Sequence, residues 1–179
     1  FLGMTLRYLA LMRVDPPPGW LEKYRNALHV YAQLRLPDGS LPSIGDTSSL
    51  PDPLGPATSR IDANGQAAAL RPETSWPPPE PYSLFPVSGY SIWWDGLEHW
   101  PQPGELSQTV VAWSYLPGHG HKHADEPSVW LWAAGQTWWS NAGYWSYDSG
   151  GRAWAESWSG SNAPHLINEP ASSRRAARL

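Results

Sequence analysis

The stretch Ser107-Gln-Thr-Val-Val-Ala-Trp-Ser-Tyr115 decides the fold class, because it joins β-branched and aromatic residues to an alternating pattern. Three more stretches share this character: Ser88–Trp94, Ser128–Trp132 and Thr137–Trp139. Asp-Gly, Pro-Gly and Ala-Gly-Gln sequences separate them and predict turns. Short strands at such spacing predict a mainly β fold, an antiparallel β-sandwich over residues 82–170, with a last strand near His165–Asn168.

The first 36 residues have a helical period instead. Apolar residues recur at three- and four-residue spacing in the opening run, and Pro16-Pro-Pro-Gly19 then interrupts it. A second helix is predicted over Trp20–Leu34, with one apolar stripe formed by Leu21, Tyr24, Leu28, Tyr31 and Ala32. Residues 1–36 therefore predict a helical hairpin, the last piece of a larger helical array.

The segment between the two halves is dominated by Pro, Gly, Ser and Asp. Residues 37–81 are predicted to be a linker, with one short helix over 63–70 and a stiff, extended Pro77-Pro-Pro-Glu-Pro81. Residues 171–179 form a basic tail that contains three arginines. Such a tail is either a solvated end or an anchor for an acidic partner.

Composition excludes several classes of protein. The chain has 179 residues, a formal net charge of −4, 13 Trp and no Cys. The absence of Cys excludes disulfides, thiolate-bound metals and a thiol nucleophile. The negative charge argues against a nucleic-acid partner. No apolar run reaches the ~18 residues that a membrane span requires.

The densest chemical signal is Gly118-His-Gly-His-Lys-His-Ala-Asp125. In an extended strand, His119, His121, His123 and Asp125 would share one face. Neighbouring imidazoles are compatible when they are neutral, metal-bound or hydrogen-bonded to a carboxylate. Asp125 is a candidate for that carboxylate, as ligand or as acceptor. The pattern fits a metal site, a catalytic group or a solvent-exposed turn, and spacing alone does not separate these.

Two isolated residues add weaker signals. His165 precedes an apolar pair, Leu166-Ile167, where a histidine is either a satisfied core residue or a ligand. Arg152 follows Gly150-Gly151, where it is either solvated or paired with a carboxylate, since its planar fork suits that group.

Tryptophan is concentrated in the β half, with 11 of the 13 between Trp93 and Trp158. Adjacent pairs such as Trp138-Trp139 must point to opposite faces of a strand, so not all of these rings can lie in the core. Exposed rings beside polar groups suit stacking on sugars. The set predicts either sugar-facing aromatic residues or packing of both sheet faces.

Several motifs occur in the order typical of the heparinase II/III family of polysaccharide lyases, which the chain resembles over most of its length. Leu36–Asp46 resembles the family's link out of its helical toroid, and Pro86–Tyr90 resembles the start of its β domain. The segment His121–Asp125, with the hydrophobic stretch after it, resembles the family's His-x-His-x-Asp motif. Three further matches follow in order: Ala142–Tyr147, Arg152 and Ala163-Pro-His165.

The resemblance implies the end of an (α/α) toroid followed by a supersandwich-like antiparallel β-sandwich. It also implies β-elimination of a uronic-acid-containing polysaccharide, with His121 as the histidine on the catalytic face. His119, Arg152 and Trp145 are the expected substrate contacts. The family's acid/base tyrosine lies on the toroid and is expected upstream of Phe1. We therefore expect this chain to be a fragment that is inactive alone.

A structural zinc ion is also implied by the resemblance. His123 and His165 match its ligands, and Asn141 stands where the family usually has Asp. An amide is a poorer, uncharged ligand. The family further implies an acidic polysaccharide as partner and a periplasmic, cell-envelope or secreted location.

Two alternatives to a lyase remain open at the level of sequence. A non-catalytic carbohydrate-binding β-sandwich would use the Trp-rich faces, and a metal-stabilised structural module would use the histidines. An upstream helical array that carries Tyr with His or Asn would favour the lyase.

Overall fold

The computed structural model describes residues 2–47, 77–113, 121–147, 150–171 and 173. It divides the chain into two compact units. The first contains residues 1–33 and 51–77, and the second contains residues 34–50 and 78–179. The predicted helix at 63–70, the basic arginines of the tail and His119 lie outside the described residues.

Two helices form the described part of the first unit. Helix α1 spans Leu2–Leu11 and helix α2 spans Trp20–Leu34, which agrees with the predicted bounds of the second helix. Tyr24 is buried, and the other four residues of the predicted stripe are half-buried. Glu22, Lys23, Arg25 and Asn26 on the opposite face are all exposed. The amphipathic period in the sequence therefore identified the buried face of α2.

One five-stranded antiparallel sheet makes up the centre of the second unit. Its strands lie side by side in chain order: β1 Tyr82–Phe85, β2 Tyr90–Asp95, β3 Ser107–Ala112, β4 Ser128–Ala133 and β5 Gln136–Trp139. A short helix, α3, follows at Arg152–Glu156. The predicted mainly β, antiparallel fold is confirmed. Strand β1 was not among the predicted stretches, and residues 165–168 do not form the predicted last strand.

The core lies on one face of this sheet, where alternate residues of β2, β3 and β4 point. In register, Ile92 pairs with Val110, and Val110 pairs with Trp130. The buried cluster contains Leu36, Ile44, Ile92, Trp94, Leu106, Val110, Ala112, Trp130 and Trp132. Three tryptophans, Trp94, Trp130 and Trp132, therefore lie on the buried face of the sheet. Large aromatic side chains such as these contribute much of the apolar area that a core buries.

Two core residues precede the sheet in the chain: Leu36 is the last residue of the segment predicted to be helical, and Ile44 lies in the predicted linker. Residues 34–47 belong to the same compact unit as the sheet. The Gln108 side chain on β3 donates to the Leu34 carbonyl at 3.1 Å, which ties this segment to the middle of the sheet. Residues 37–47 of the predicted linker thus pack in the same unit as the sheet, and they carry Gly45 and Asp46.

Among the described helices, none is long and apolar enough to cross a membrane.

Candidate functional site

A buried carboxylate, Asp46, lies at the centre of a cluster of polar side chains. Its side chain is 8% exposed and accepts from four side chains. The donor–acceptor distances are 2.9 Å to His121 Nδ1, 2.8 Å to His123 Nε2, 2.7 Å to the Tyr147 hydroxyl and 2.9 Å to Arg152 Nη2. An ionised carboxylate offers about four acceptor positions, so the carboxylate is satisfied.

These donors keep Asp46 ionised. Burial by itself would raise the pKa of the carboxyl group, because it disfavours the charged form. The four hydrogen bonds, of which that from Arg152 has the largest effect, outweigh burial and hold the pKa well below its ordinary value. The hydrogen bond between Tyr147 and Asp46 raises the pKa of the Tyr147 hydroxyl, because a phenolate could no longer donate to the carboxylate.

The two oxygens of Asp46 have different partners. Oδ1 contacts His123, which is 2% exposed, so this contact lies in the interior. Oδ2 contacts Arg152 and the two exposed residues His121 and Tyr147. The His121 side chain is 66% exposed. The carboxylate thus joins a buried hydrogen bond to a pair of polar side chains at the surface.

Residues 121–127 do not form the strand predicted for the histidine motif. The His121 carbonyl instead accepts from the Asp46 amide at 3.1 Å, so the chain here is bonded to the Asp46 segment rather than to a neighbouring strand. His121 and His123 still meet at one group, since both contact Asp46. The two histidines therefore contact the same carboxylate although the backbone between them is irregular and not a strand.

Asp125, the carboxylate expected beside the histidines, has other partners. Its Oδ2 accepts from the Gly45 amide at 3.0 Å, and its Oδ1 accepts from Lys122. Lys122 also lies 3.1 Å from Glu126. All three side chains are almost fully buried, so these ion pairs fix the loop that carries the histidines. Asp46, which sequence analysis did not single out, takes the place expected for Asp125.

Arg152 is held by three protein groups. Its Nη2 donates to Asp46, its Nε lies 2.5 Å from Glu156 Oε1, and its Nη1 lies 2.6 Å from the Trp145 carbonyl. The guanidinium also lies 4.0 Å from the centroid of the Tyr147 ring. The residue is buried. In this structure Arg152 contacts Asp46 and Tyr147, and its expected contact with substrate stays a prediction.

Four exposed aromatic rings lie close to Arg152 in the sequence. Trp145 and Trp154 are 39% and 52% exposed and meet edge-to-face at 6.2 Å between ring centroids. Tyr144 and Tyr147 form a second edge-to-face pair at 5.9 Å. Trp145, the expected substrate contact, is therefore one of four exposed rings close in sequence to Arg152.

The residues implied as zinc ligands have protein partners. His123 contacts Asp46, and the His165 ring stacks on Trp158 with centroids 3.8 Å apart. The Asn141 amide donates to Ser128 Oγ at 3.0 Å, and its carbonyl accepts from the Asn162 backbone at 3.1 Å. Within the described ranges, no three His, Asp or Glu side chains are arranged to hold a metal ion. Zinc binding stays a prediction from the resemblance, and metal analysis of the purified protein tests it.

Gly45 allows the Asp46 segment to approach the histidine loop. Its φ angle is +56°, and a Cβ atom there would lie 2.7 Å from the His121 carbonyl oxygen. Gly45→Ala should therefore lower the free energy of unfolding by about 1–3 kcal/mol. Gly104→Ala is the matched control, because no atom lies within 4 Å of its Cβ position. Equal urea midpoints for the two variants would contradict this close approach.

Acid should weaken the cluster. Because the folded pKa of Asp46 is depressed, its contribution to stability is present above the ordinary value of about 4 and is lost as pH falls toward the folded value. The difference in unfolding free energy between wild type and Asp46→Asn should therefore shrink between pH 5 and pH 2. Urea denaturation at each pH measures it, and a constant difference would refute the prediction.

Comparison with known proteins places this architecture in a family. Residues 77–178 match the model of the heparinase II/III-like C-terminal domain, which is more than half of the chain. The chain therefore belongs to the heparinase II/III-like family, and the second unit is a domain related to polysaccharide lyases. A search of curated proteins finds no match.

Solved structures show the same fold. Heparinase III, the BT4657 gene product, is 18% identical, with a TM-score of 0.57 over 82% of this chain and 24% of that chain. The heparan sulfate lyase HepC from Pedobacter heparinus is 16% identical, with a TM-score of 0.53 over 79% of this chain and 23% of that chain. At these identities the likeness concerns the fold, and the β-sandwich prediction is confirmed. The chain spans about a quarter of the length of these proteins.

Proposed function

We propose that this chain supplies the β-domain side of a lyase that cleaves a uronic-acid-containing polysaccharide by β-elimination. Family membership supports the reaction class. The observation that carries the proposal is an exposed imidazole, His121, whose Nδ1 is held by the buried carboxylate of Asp46. An accessible histidine with a fixed ring orientation is what acid–base catalysis on a bound polymer requires.

The reaction needs a proton transfer and a charge to be stabilised. A base removes the proton from C5 of the uronic acid, the C4–C5 double bond forms, and the bond from C4 to the glycosidic oxygen breaks. That oxygen leaves with a proton from a general acid. Charge develops on the carboxylate of the sugar and must be stabilised by polar groups nearby. In this proposal His121 supplies a ring nitrogen at the reacting uronate, and a tyrosine of a helical toroid domain completes the site.

The proposal is tested by the ultraviolet absorbance of the enoate that elimination creates. The full-length lyase is incubated with alginate, heparin and heparan sulfate, and with dextran as a polymer that lacks uronic acid. We expect new absorbance with at least one uronate polymer and none with dextran. Absence of product from all three uronate polymers would refute the lyase. Residues 1–179 alone should give none, and cleavage by them would contradict the need for a toroid.

The expected location follows from the substrate. An acidic polysaccharide is met in the periplasm, at the cell envelope or outside the cell, so the lyase should act in one of these places. Cell fractionation with an antibody against this chain tests the location, and recovery only from the cytoplasm would contradict it.

A carbohydrate-binding role without catalysis is the second candidate, and the exposed pair Trp145 and Trp154 favours it. Trp154→Ala should weaken oligosaccharide binding about tenfold or more, because an aromatic face at a sugar contributes mainly by stacking. Trp138→Ala is the control, since Trp138 is an exposed tryptophan on strand β5. Isothermal titration with uronate oligosaccharides measures both, and equal affinities would remove Trp154 from the binding surface.

A further inference from the structure

We propose that Asp46 and Tyr147 are positioning residues for His121, which fix its neutral ring as the Nδ1–H tautomer and its orientation at the surface. The inference rests on the proposed function for its purpose. Its geometry can be tested without activity. Neither residue would touch the substrate in this role, because each acts through the imidazole.

The three polar atoms form a closed triangle. His121 Nδ1 lies 2.9 Å from Asp46 Oδ2, the Tyr147 hydroxyl lies 2.7 Å from the same oxygen, and the hydroxyl lies 3.0 Å from His121 Nδ1. An ionised carboxylate only accepts hydrogen bonds, so Nδ1 must carry the proton that it donates. In the neutral ring Nε2 is then the basic nitrogen.

The contact between the Asp46 segment and His121 is made twice. The Asp46 amide donates to the His121 carbonyl at 3.1 Å, and the Asp46 side chain accepts from the His121 ring at 2.9 Å. Two bonds from one residue to both the backbone and the side chain of another leave the imidazole little freedom to rotate. Most exposed side chains have no such restraint and sample several rotamers.

Arg152 fixes the other two corners of the triangle. It donates to Asp46 Oδ2 and lies over the Tyr147 ring, while Glu156 and the Trp145 carbonyl hold its remaining nitrogens. The guanidinium thus holds both the carboxylate and the tyrosine ring in place. This brace is buried, so it does not compete with His121 for a ligand at the surface.

The distribution of partners argues for a role beyond stability. If Asp46 only stabilised the fold, hydrogen bonds from the two buried residues His123 and Arg152 would be enough. Asp46 Oδ2 instead also accepts from the largely exposed His121 and Tyr147. Exposed hydrogen bonds contribute little to stability, because water replaces them on unfolding. Their effect here is to orient a ring that faces outward.

Nuclear magnetic resonance of ¹⁵N-labelled histidine in the 179-residue chain tests the tautomer directly. At pH 8 we expect the His121 signals of wild type to be those of Nδ1–H. Asp46→Asn should shift them toward Nε2–H, because an amide can donate to Nδ1. Asp38→Asn is the matched control, since Asp38 lies in the same segment and its carboxylate binds Ser40. Unchanged His121 signals in Asp46→Asn would overturn the proposal.

Tyr147→Phe provides a second variant if Asp46→Asn does not fold. Loss of the hydroxyl should broaden or shift the His121 signals, whereas Tyr82→Phe on strand β1 should not. In the full-length lyase, Tyr147→Phe should lower kcat about tenfold with KM unchanged, because a positioning contact acts on the reacting state. An equal effect of Tyr82→Phe, or no effect of Tyr147→Phe on either readout, would overturn the role of Tyr147.

The two proposals fail in different ways. A locked Nδ1–H tautomer in wild type, with no cleavage of any uronate polymer, would refute the lyase and leave the positioning network standing. Cleavage by the full-length lyase, with the same His121 tautomer in wild type and Asp46→Asn, would refute the positioning network and leave the lyase standing.

Discussion

We expect His121→Ala to lower kcat of the proposed full-length lyase by about 10²–10⁴-fold, the usual contribution of a positioned acid–base group. Its effect on stability should be small, because the side chain is 66% exposed and Asp46 keeps three other donors. A large loss of activity with little change in folding is the combination expected of a residue that acts on substrate. Enoate absorbance measures kcat, and urea denaturation measures stability.

His99→Ala is the control for this experiment. His99 is also an exposed histidine of the second unit, but its charged neighbour is Glu98, 3.7 Å away. It should retain the activity of wild type. If His121→Ala and His99→Ala have the same kcat, His121 does not take part in the reaction. If His121→Ala loses activity and unfolds as well, His121 serves the fold and the functional interpretation fails.

Asp46→Ala produces the second large effect, a loss of about 3–5 kcal/mol in the free energy of unfolding. The substitution leaves two buried donors, His123 and Arg152, without their shared acceptor. Arg152 keeps its ion pair with Glu156, but its Nη2 and the ring of His123 lose their acceptor in the interior, which costs more than the bonds that were removed. Asp46→Asn should lose less, because the amide keeps the shape of the side chain and one acceptor oxygen.

Asp38→Ala is the matched control for stability. Its carboxylate also accepts two hydrogen bonds, from the Ser40 amide at 2.9 Å and the Ser40 hydroxyl at 2.7 Å, but it leaves no charged partner buried. The expected cost is about 1 kcal/mol. Denaturant unfolding measures the free energy of unfolding of both variants. Similar losses would show that the buried partners of Asp46 do not make its removal more costly than that of Asp38.

The sheet was largely predictable because its signals are local. The alternation in Ser107–Ala112 and Ser128–Ala133 reports which side chains are buried within each strand, and the observed pattern agrees with it. Strand β1 was missed because only four residues follow the Pro-rich segment, too few for an alternating pattern to stand out. The strand predicted near His165 failed because the segment stacks His165 on Trp158 instead of pairing with a neighbouring strand.

The site was only half predictable. The spacing of His121 and His123 marked the histidine loop, and the family motifs marked Arg152. Asp46 lies in a Pro- and Gly-rich segment that predicts a linker, 75 residues before His121. The available signal was chemical: three potential cations, His121, His123 and Arg152, require a buried carboxylate nearby. Three such residues indicate that an acceptor is present but do not identify it, and Asp125 is the carboxylate nearest to the histidines in sequence.

By itself the sequence determined the β class of the second unit, the bounds of α2, the family resemblance and the candidate histidine loop. These properties depend on periodicity and on short motifs, which act between residues close in the chain. Only the tertiary structure decided that Asp46 joins His121, His123, Tyr147 and Arg152. A buried charge is stable only among donors that face it, and which distant residues supply them is set by how Leu36 and Ile44 pack on the sheet.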